Sequence, residues 1–305
     1  MARPRNLLAI FNPTAGPRRR HRFHHAMAVF GDRGALVRVH ETTAPRDAEV
    51  VARAAEGFDA VVAAGGDGTI NEVVNGLMAH AGRPPPLGIL PLGTANVLAA
   101  ELGLPMDPAA AAGIILDGGS TDIHLGLANG RHFSLMAGVG FDAHVVAGLD
   151  SGLKRRIGKG AYVWETARQL AAGPAARYRV TVDGRPFEAA SAVIANSHYY
   201  GGRFVLAPDA TPLRSGFEIC LFERGGRPAT VGYMAAMALG LLPRFKGYQV
   251  IGGRSVTVEG PAGEPVQTDG DIVATLPLTV TVADRRLPVF ASAPGHHHAL
   301  DHDGR

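Results

Sequence analysis

A glycine-rich segment with one acid, residues 64–71 (AGGDGTIN), has the composition of a phosphate-binding turn. It follows the apolar run 59–63 and leads into a stretch of helical character that begins near Ile70. A strand that ends at glycines and continues into a helix places free backbone N–H groups and the positive end of the helix dipole at one point. Asp67 would repel a bare phosphate, so it indicates a magnesium nucleotide or a reacting hydroxyl nearby. Residues 65–68 alone also fit an ordinary turn.

Two further turns of similar composition follow two other apolar runs. Residues 12–16 (NPTAG) follow the run 7–10, and residues 91–96 (PLGTAN) follow the run 87–90. The carboxyl ends of parallel strands meet at one edge of a sheet, where open α/β sheets bind their ligands. We therefore expect the three turns to form one site.

The first 120 residues alternate between short apolar runs and helical patterns. This rhythm predicts an α/β domain with a doubly wound, mostly parallel sheet. The predicted strands are 6–11, 35–40, 59–64 and 87–91. The predicted helices are 17–31, 45–56, 69–80, 95–102 and 109–116.

After about residue 122 the pattern changes, which predicts a mainly antiparallel β domain with an Asp183-Gly184 hairpin turn. The predicted strands are 123–128, 132–136, 178–182, 187–195, 217–222, 255–259 and 278–282, with helices inserted near 158–172 and 229–242. The expected domains are therefore 1–122 and 123–287. The segment from about 288 to 305 is a candidate to return to the first domain, and disorder is expected from Ala293 onward.

Composition limits how phosphate can be bound. Lysine occurs only at Lys154, Lys159 and Lys246, so the first 150 residues cannot form a Walker-type P-loop. Phosphate must meet backbone N–H groups, arginine or metal there. The net charge of +3 indicates no basic surface for nucleic acid.

The single cysteine, Cys220, cannot form an intrachain disulfide, which fits a reducing compartment, and its apolar neighbours predict a buried side chain. No signal peptide is expected because the first apolar run is short. The most apolar later stretch, 231–242, is too short to span a bilayer as a helix. We expect a cytoplasmic protein that at most lies on a membrane surface, and its oligomeric state is open.

Two clusters have two interpretations each. The basic residues 18–22 (RRRHR) fit a solvated helix face or attract anionic lipid or nucleotide. The stretch 233–242, followed by Arg244, Phe245 and Lys246, fits a lipid-facing element and a core helix equally.

Taken in order, the three turns and two later segments resemble the diacylglycerol kinase catalytic-domain family, which includes bacterial lipid kinases and sphingosine kinases. The later segments are 139–143 (VGFDA) and 267–271 (QTDGD), and the resemblance spans residues 6 to about 290. It implies an N-terminal nucleotide domain like that of NAD kinases and diacylglycerol kinases, and a β-rich domain for the lipid. It also implies that a lipid hydroxyl meets the γ-phosphate of ATP between the two domains, with the lipid drawn from a membrane surface.

By position, the resemblance implies nucleotide contacts in the three turns, after the second strand, and at the start of the helix that follows the second turn. These residues are Asn12, Pro13, Thr14, Ala15, Gly16, Thr42, Gly65, Gly66, Asp67, Gly68, Thr69, Asn71, Glu72, Gly93, Thr94 and Asn96. The glycine turns would hold the triphosphate, and Asp67 and Asn96 would orient it, which makes Asp67 a candidate catalytic residue as well. Thr42 also fits an N-cap or turn residue before the helix at 45.

Phosphoryl transfer also needs a proton acceptor. The resemblance places the acceptor at Asp271, where the family usually has glutamate. Asp269 is the rival base or a metal partner, and a plain hairpin turn at Asp269-Gly270 is the third interpretation.

The chain departs from the family at its metal-binding positions. Arg214 and Ser215 stand where many bacterial members have carboxylates that help to bind a structural Mg²⁺, and Val97 replaces an aspartate. A guanidinium cannot bind a cation, so no separate structural Mg²⁺ is expected, whereas Mg²⁺ that arrives with ATP is.

The sequence therefore predicts an ATP-dependent kinase of a lipid hydroxyl, in diacylglycerol or a related lipid. One alternative is a kinase of a soluble substrate, because NAD kinases share a Gly-Gly-Asp-Gly-Thr-type turn. The other is a catalytically weak regulator that binds lipid or nucleotide, which the departures at Val97, Arg214 and Ser215 favour.

Overall fold

The computed structural model describes residues 6–15, 17–117, 119–148, 176–202 and 204–291. The chain divides into two compact units, Met1–Ile123 with Arg285–Arg305, and His124–Asp284. Three sequence expectations lie outside the described residues: the helix at 158–172, the disorder from 293 onward, and the contacts of Gly16.

The first unit contains one six-stranded sheet. Its strands are β1 (Asn6–Phe11), β2 (Leu36–Glu41), β3 (Ala60–Gly65), β4 (Leu87–Pro91), β5 (Ser120–Ile123) and β20 (Leu287–Phe290). They lie in the order β2-β1-β3-β4-β20-β5, and every neighbouring pair is parallel except β20 with β5. The predicted α/β domain with a mostly parallel sheet is confirmed.

Helices cover both faces of this sheet. They are α1 (Pro17–Asp32), α2 (Asp47–Arg53), α3 (Asp67–Met78), α4 (Val97–Glu101) and α5 (Pro108–Asp117). On one face, α1 and α5 pack together, and their side chains join Phe11 in one core. Successive side chains of a strand point to opposite faces, and Ile10, next to Phe11, is also fully buried. The second face is therefore covered too, where α2 and α3 pack on each other and against β1 and β3.

The second unit is a sandwich of two six-stranded sheets. The strands of one sheet, in spatial order, are β10 (Arg185–Ala189), β9 (Tyr178–Val182), β16 (Ser255–Glu259), β19 (Leu278–Val282), β6 (Gly126–Ala128) and β7 (Arg131–Phe133). Those of the other are β15 (Tyr248–Gly253), β14 (Phe217–Phe222), β11 (Ser191–Ala195), β8 (Met136–Val139), β17 (Pro265–Thr268) and β18 (Asp271–Thr275). All pairings within them are antiparallel, which confirms the predicted class.

A single core joins the two sheets, with Val180 and Val256 from one and Ile194 and Ile219 from the other. Among the described residues of this unit, a short ribbon and two α-helices lie outside the sandwich. These are β12 (Tyr199–Tyr200) with β13 (Phe204–Val205), α6 (Phe141–Gly148) and α7 (Arg227–Ala238).

Three predicted strands are wrong in extent because each predicted run continues through a corner of the chain. The run 132–136 divides between β7 and β8, which belong to different sheets. The run 123–128 divides between β5 and β6, and between them the N–H of His124 donates to Pro212 O. The run 187–195 divides between β10 and β11, which belong to different sheets, and the chain crosses at Ala190. The predicted Asp183-Gly184 hairpin is confirmed, with both residues at positive φ between β9 and β10.

Cys220 is fully buried on β14, as the sequence predicts, and burial raises the pKa of its thiol to about 12. Within the described ranges, no helix combines the length and apolar character needed to cross a bilayer.

Candidate functional site

The carboxyl ends of β2, β1, β3 and β4 lie side by side at one edge of the first sheet. Backbone hydrogen bonds extend beyond the strands and tie each turn to its neighbour. These bonds run from Thr42 N to Phe11 O (2.8 Å), from Asn12 N to Ala64 O (3.2 Å) and from Leu92 N to Gly65 O (3.0 Å). The three turns singled out in the sequence are therefore adjacent in space.

The second and third turns touch through their glycines. A Cβ atom on Gly93 would lie 2.5 Å from Gly66 Cα, and one on Gly66 would lie 3.1 Å from Gly93 Cα. Both distances are shorter than an ordinary carbon–carbon contact. Glycine at these two positions therefore lets the two backbones approach each other.

Asp67 links the same two turns through its carboxylate. Its two oxygens accept the backbone N–H groups of Asn96 (3.0 Å) and Val97 (2.7 Å). The amide side chain of Asn96, which has a left-handed backbone with φ 50°, exchanges two hydrogen bonds with the backbone of Gly93. Asp67 and Asn96 thus set the shape of the third turn, a bracing contact that the sequence did not reveal.

The helix that follows the second turn begins at Asp67, two residues earlier than predicted, with Gly66 as its N-cap. The first intrahelical bond runs from Ile70 N to Gly66 O, so the N–H groups of residues 67–69 precede it. They lie at the positive end of a twelve-residue helix, where an anion is stabilised.

The first turn is joined to α3 by side chains. Asn12 Nδ2 donates to Thr69 Oγ1 (3.2 Å), and Asn12 Oδ1 accepts both the N–H and the hydroxyl of Thr14. Pro13–Ala15 form a single 3-10 turn. The structure thus brings the described residues of all three turns together.

Thr42, Asn71 and Glu72 flank these turns. Thr42 lies directly after β2, but the N-cap of α2 is Arg46, so the N-cap interpretation of Thr42 is wrong. Glu72 on α3 accepts the N–H of Arg46 (3.0 Å), and Asn71 is buried within the same helix.

Arginine reaches the same edge from α1. The Arg19 guanidinium donates to Thr94 Oγ1 (3.1 Å) in the third turn. Arg20 forms a two-bond ion pair with Glu41 (2.9 and 3.0 Å). Arg19 was missed as an individual residue, although the lack of lysine and the basic cluster 18–22 both pointed to an arginine.

In the second unit, Asp269 and Gly270 form the two-residue turn of the β17–β18 hairpin, both at positive φ. The turn that the sequence offered at Asp269-Gly270 is therefore present in the structure. Asp271 follows at the first position of β18, where it is exposed.

The Asp269 carboxylate accepts four hydrogen bonds from the segment that leads into β8 and from the first residue of β8. They come from Ser134 N (2.8 Å), Ser134 Oγ (3.0 Å), Leu135 N (2.9 Å) and Met136 N (3.0 Å). These four hydrogen bonds fix the Asp269 carboxylate against the segment that leads into β8 and so position the hairpin.

A buried chain of polar groups supports the same hairpin. Tyr200 OH donates to Asp142 Oδ1, and Gln267 Nε2 donates to Asp142 Oδ2 (2.6 Å). Gln267 Oε1 in turn accepts the N–H of Gly270 (2.9 Å), next to Asp271. Burial raises the pKa of Asp142, and the two hydrogen bonds to its carboxylate act in the opposite direction.

Arg214 and Ser215, which stand where many family members have metal-binding carboxylates, form hydrogen bonds within the protein. Arg214 donates to Asp209 O (2.6 Å), and Ser215 Oγ accepts from Arg254 (2.6 Å). Among the described residues, no group of three His, Cys, Asp or Glu side chains lies close enough together to hold a metal ion.

Comparison with known proteins places the chain in a family. A family model described as "Diacylglycerol kinase catalytic domain" matches residues 6–128. A second, described as "YegS C-terminal NAD kinase beta sandwich-like domain", matches residues 136–291.

Relatives and solved structures agree with this match. The chain is 34% identical over 237 residues to a diacylglycerol kinase of Bacillus subtilis, covering 75% of this chain and 77% of that protein. It is 29% identical over 289 residues to a diacylglycerol kinase of Staphylococcus aureus, covering 92% and 91%. A diacylglycerol kinase crystal structure from Bacillus anthracis has the same fold, with a TM-score of 0.76, 24% identity and 95% and 98% coverage. The chain belongs to the diacylglycerol kinase catalytic-domain family of lipid kinases.

Proposed function

We propose that the protein is an ATP-dependent lipid kinase that transfers the γ-phosphoryl group of ATP to the hydroxyl of diacylglycerol or a related lipid. The observation that carries the proposal is the joining of three turns at one sheet edge. Gly66, Gly93 and Asp67 join the second and third turns, and Asn12 joins the first turn to the helix that follows the second. Family membership supplies the reaction class, and the joined turns supply a rigid arrangement of main-chain donors for a triphosphate.

In this proposal the nucleotide lies along the three turns. The N–H groups at the start of α3 and the turn at Pro13–Ala15 bind phosphate oxygens, while Asp67 and Asn96 hold the third turn in position. Arg19 supplies positive charge beside Thr94, which suits a unit without lysine. Thr42 and Glu72 border the nucleotide from the neighbouring strand and helix.

Mg²⁺ enters the proposal as part of the nucleotide. A magnesium ion that arrives with a nucleotide would be held mostly by phosphate oxygens and water. When bound, it neutralises charge on the triphosphate. The contacts of Arg214 and Ser215 do not fit a separate structural metal, so no step depends on one.

We assign proton transfer to Asp271. Asp269 is held by four donors, whereas Asp271 is exposed at the start of β18. Asp271 takes the proton of the lipid hydroxyl, and the Asp142–Gln267–Gly270 chain holds its hairpin in place. The family's glutamate at this position has one more methylene, so Asp271→Glu is a natural conservative variant.

Labelled ATP tests the function. The wild-type protein is expected to transfer the γ-phosphate to a lipid in vesicles that contain diacylglycerol and not to NAD, with products separated by thin-layer chromatography. Asp271→Asn should lower the rate at least about 100-fold, in line with general-base catalysis, and Asp271→Glu should restore part of it. Transfer to NAD alone would favour the NAD-kinase alternative, and ATP binding without transfer to any lipid would favour the regulator.

A further inference from the structure

Helix α7 exposes an apolar stripe. The residues on its exposed side, spaced by helical turns, are Val231, Ala235, Ala238 and, just beyond its end, Leu239. The side chain of Val231 is 52% exposed and that of Leu239 is 71% exposed. Tyr233 anchors the opposite side of the helix in the protein. A surface helix ordinarily turns polar side chains to water, so this stripe needs another explanation.

Neighbouring segments enlarge the apolar area. Strand β13 contacts α7 and exposes Phe204 and Val205, and Leu241 is 47% exposed where the chain leaves the helix. We refer to Phe204, Val205, Val231, Leu239 and Leu241 as the α7 surface. Single exposed apolar residues are common, but a cluster of this kind marks a site of interaction.

The sequence around α7 is basic and lacks acids. Residues 224–258 contain no Asp or Glu but five cations, which exceeds the net charge of +3 of the whole chain. Arg224 and Arg227 precede or begin the helix, and Arg244 and Lys246 follow it, all of them exposed. A cation in the first turn of a helix is repelled by the positive end of the helix dipole. Arg227 therefore does not stabilise α7 through the dipole.

We propose that the α7 surface docks the protein on a membrane with anionic headgroups, a proposal that rests on the proposed function because a lipid kinase must reach its substrate in a bilayer. The apolar side chains enter the interface and the surrounding cations contact lipid phosphates. A second copy of the chain fits this surface less well, because a twofold contact would bring the same cations together.

Vesicle binding without nucleotide tests the proposal directly. Wild-type protein is expected to sediment with vesicles of phosphatidylglycerol and phosphatidylcholine at least tenfold more tightly than with phosphatidylcholine alone. Leu239→Glu should abolish most of this binding, and removing Lys246 as Lys246→Gln should weaken it about fivefold. Leu36→Glu is the matched control, because Leu36 on β2 is 73% exposed and lies in the other unit.

Several results would overturn the proposal. The wild-type protein could bind neutral and anionic vesicles equally well, or the Leu239→Glu variant could bind as tightly as the wild type. The Leu36→Glu variant could lose as much binding as Leu239→Glu. The protein could also form a dimer that Leu239→Glu dissociates.

Transfer assays separate this proposal from the proposed function. Leu239→Glu should slow transfer to long-chain diacylglycerol in vesicles at least tenfold more than transfer to a dispersed short-chain diacylglycerol. Anionic vesicle binding by a wild-type protein that phosphorylates no lipid would contradict the proposed function and leave the docking surface supported.

Discussion

The contact between Gly66 and Gly93 makes Gly93→Ala the most informative substitution in the first unit. The added methyl group would lie 2.5 Å from Gly66 Cα and 2.6 Å from Asn96 Oδ1. Carbon atoms in ordinary contact are about 3.5–4.0 Å apart. Because Gly66 Cα is backbone and cannot rotate away, the two turns must separate by about 1 Å.

The size of the effect follows from what that separation disturbs. Overpacking costs about 1–3 kcal/mol, which lowers the melting temperature of a chain of this size by several degrees and leaves it folded. The same movement strains the bonds from Gly93 N to Asn96 and from Asn96 N to Asp67. A hydrogen bond to a charged group contributes about 1.5–3 kcal/mol, so misaligning one main-chain donor to phosphate should lower ATP affinity about 10- to 100-fold.

Calorimetric titration with ATP and thermal unfolding measure the two quantities separately. Gly31→Ala is the control, because Gly31 lies in α1 with nothing within 4 Å of its added Cβ. Alanine favours a helix over glycine by about 1 kcal/mol, so the control should be as stable as the wild type or more so. A folded Gly93→Ala protein with wild-type ATP affinity would refute the proposed role of the joined turns.

Three further predictions concern the second unit. Asp269→Asn should lower the free energy of unfolding in urea by about 1–3 kcal/mol, whereas Asp271→Asn should change it by less than about 0.5 kcal/mol, and equal losses would contradict their assigned roles. Burial raises the pKa of Asp142 above its ordinary 3.8, so the native state holds that proton more tightly than the unfolded state. The stability of the wild type relative to Asp142→Asn should therefore fall as pH rises from about 4 through the raised pKa, and parallel pH curves would contradict this. Cys220 should resist iodoacetamide at pH 8 until the protein is unfolded, since burial raises its thiol pKa to about 12, and rapid alkylation of native protein would contradict its placement.

The meeting of the three turns at one sheet edge was predictable because the sequence signals for it are local. A strand that is buried on both faces has a continuous apolar sequence, and every residue of β3 and β4 is buried. Each run ends in a Gly-, Thr- or Asn-rich turn, and parallel topology brings such turns to one edge. Neither the strand order nor a tertiary contact was needed to expect the three turns together.

The partners of the acidic residues were not predictable, because they are distant in sequence. Asp67 accepts N–H groups 29 and 30 residues away, and Asp269 accepts those of residues more than 130 positions earlier. A carboxylate in a turn has the same appearance in a sequence whether it faces a ligand or another loop. For the same reason, apolar composition did not reveal where a run such as 187–195 changes sheets.

Amide hydrogen exchange with a non-hydrolysable ATP analogue and Mg²⁺ tests the central claim most directly. We expect slower exchange in residues 12–15, 66–70 and 92–97, where main-chain N–H groups at the carboxyl ends of parallel strands bind the triphosphate. Unchanged exchange in all three turns under saturating nucleotide, with protection elsewhere, would contradict the account.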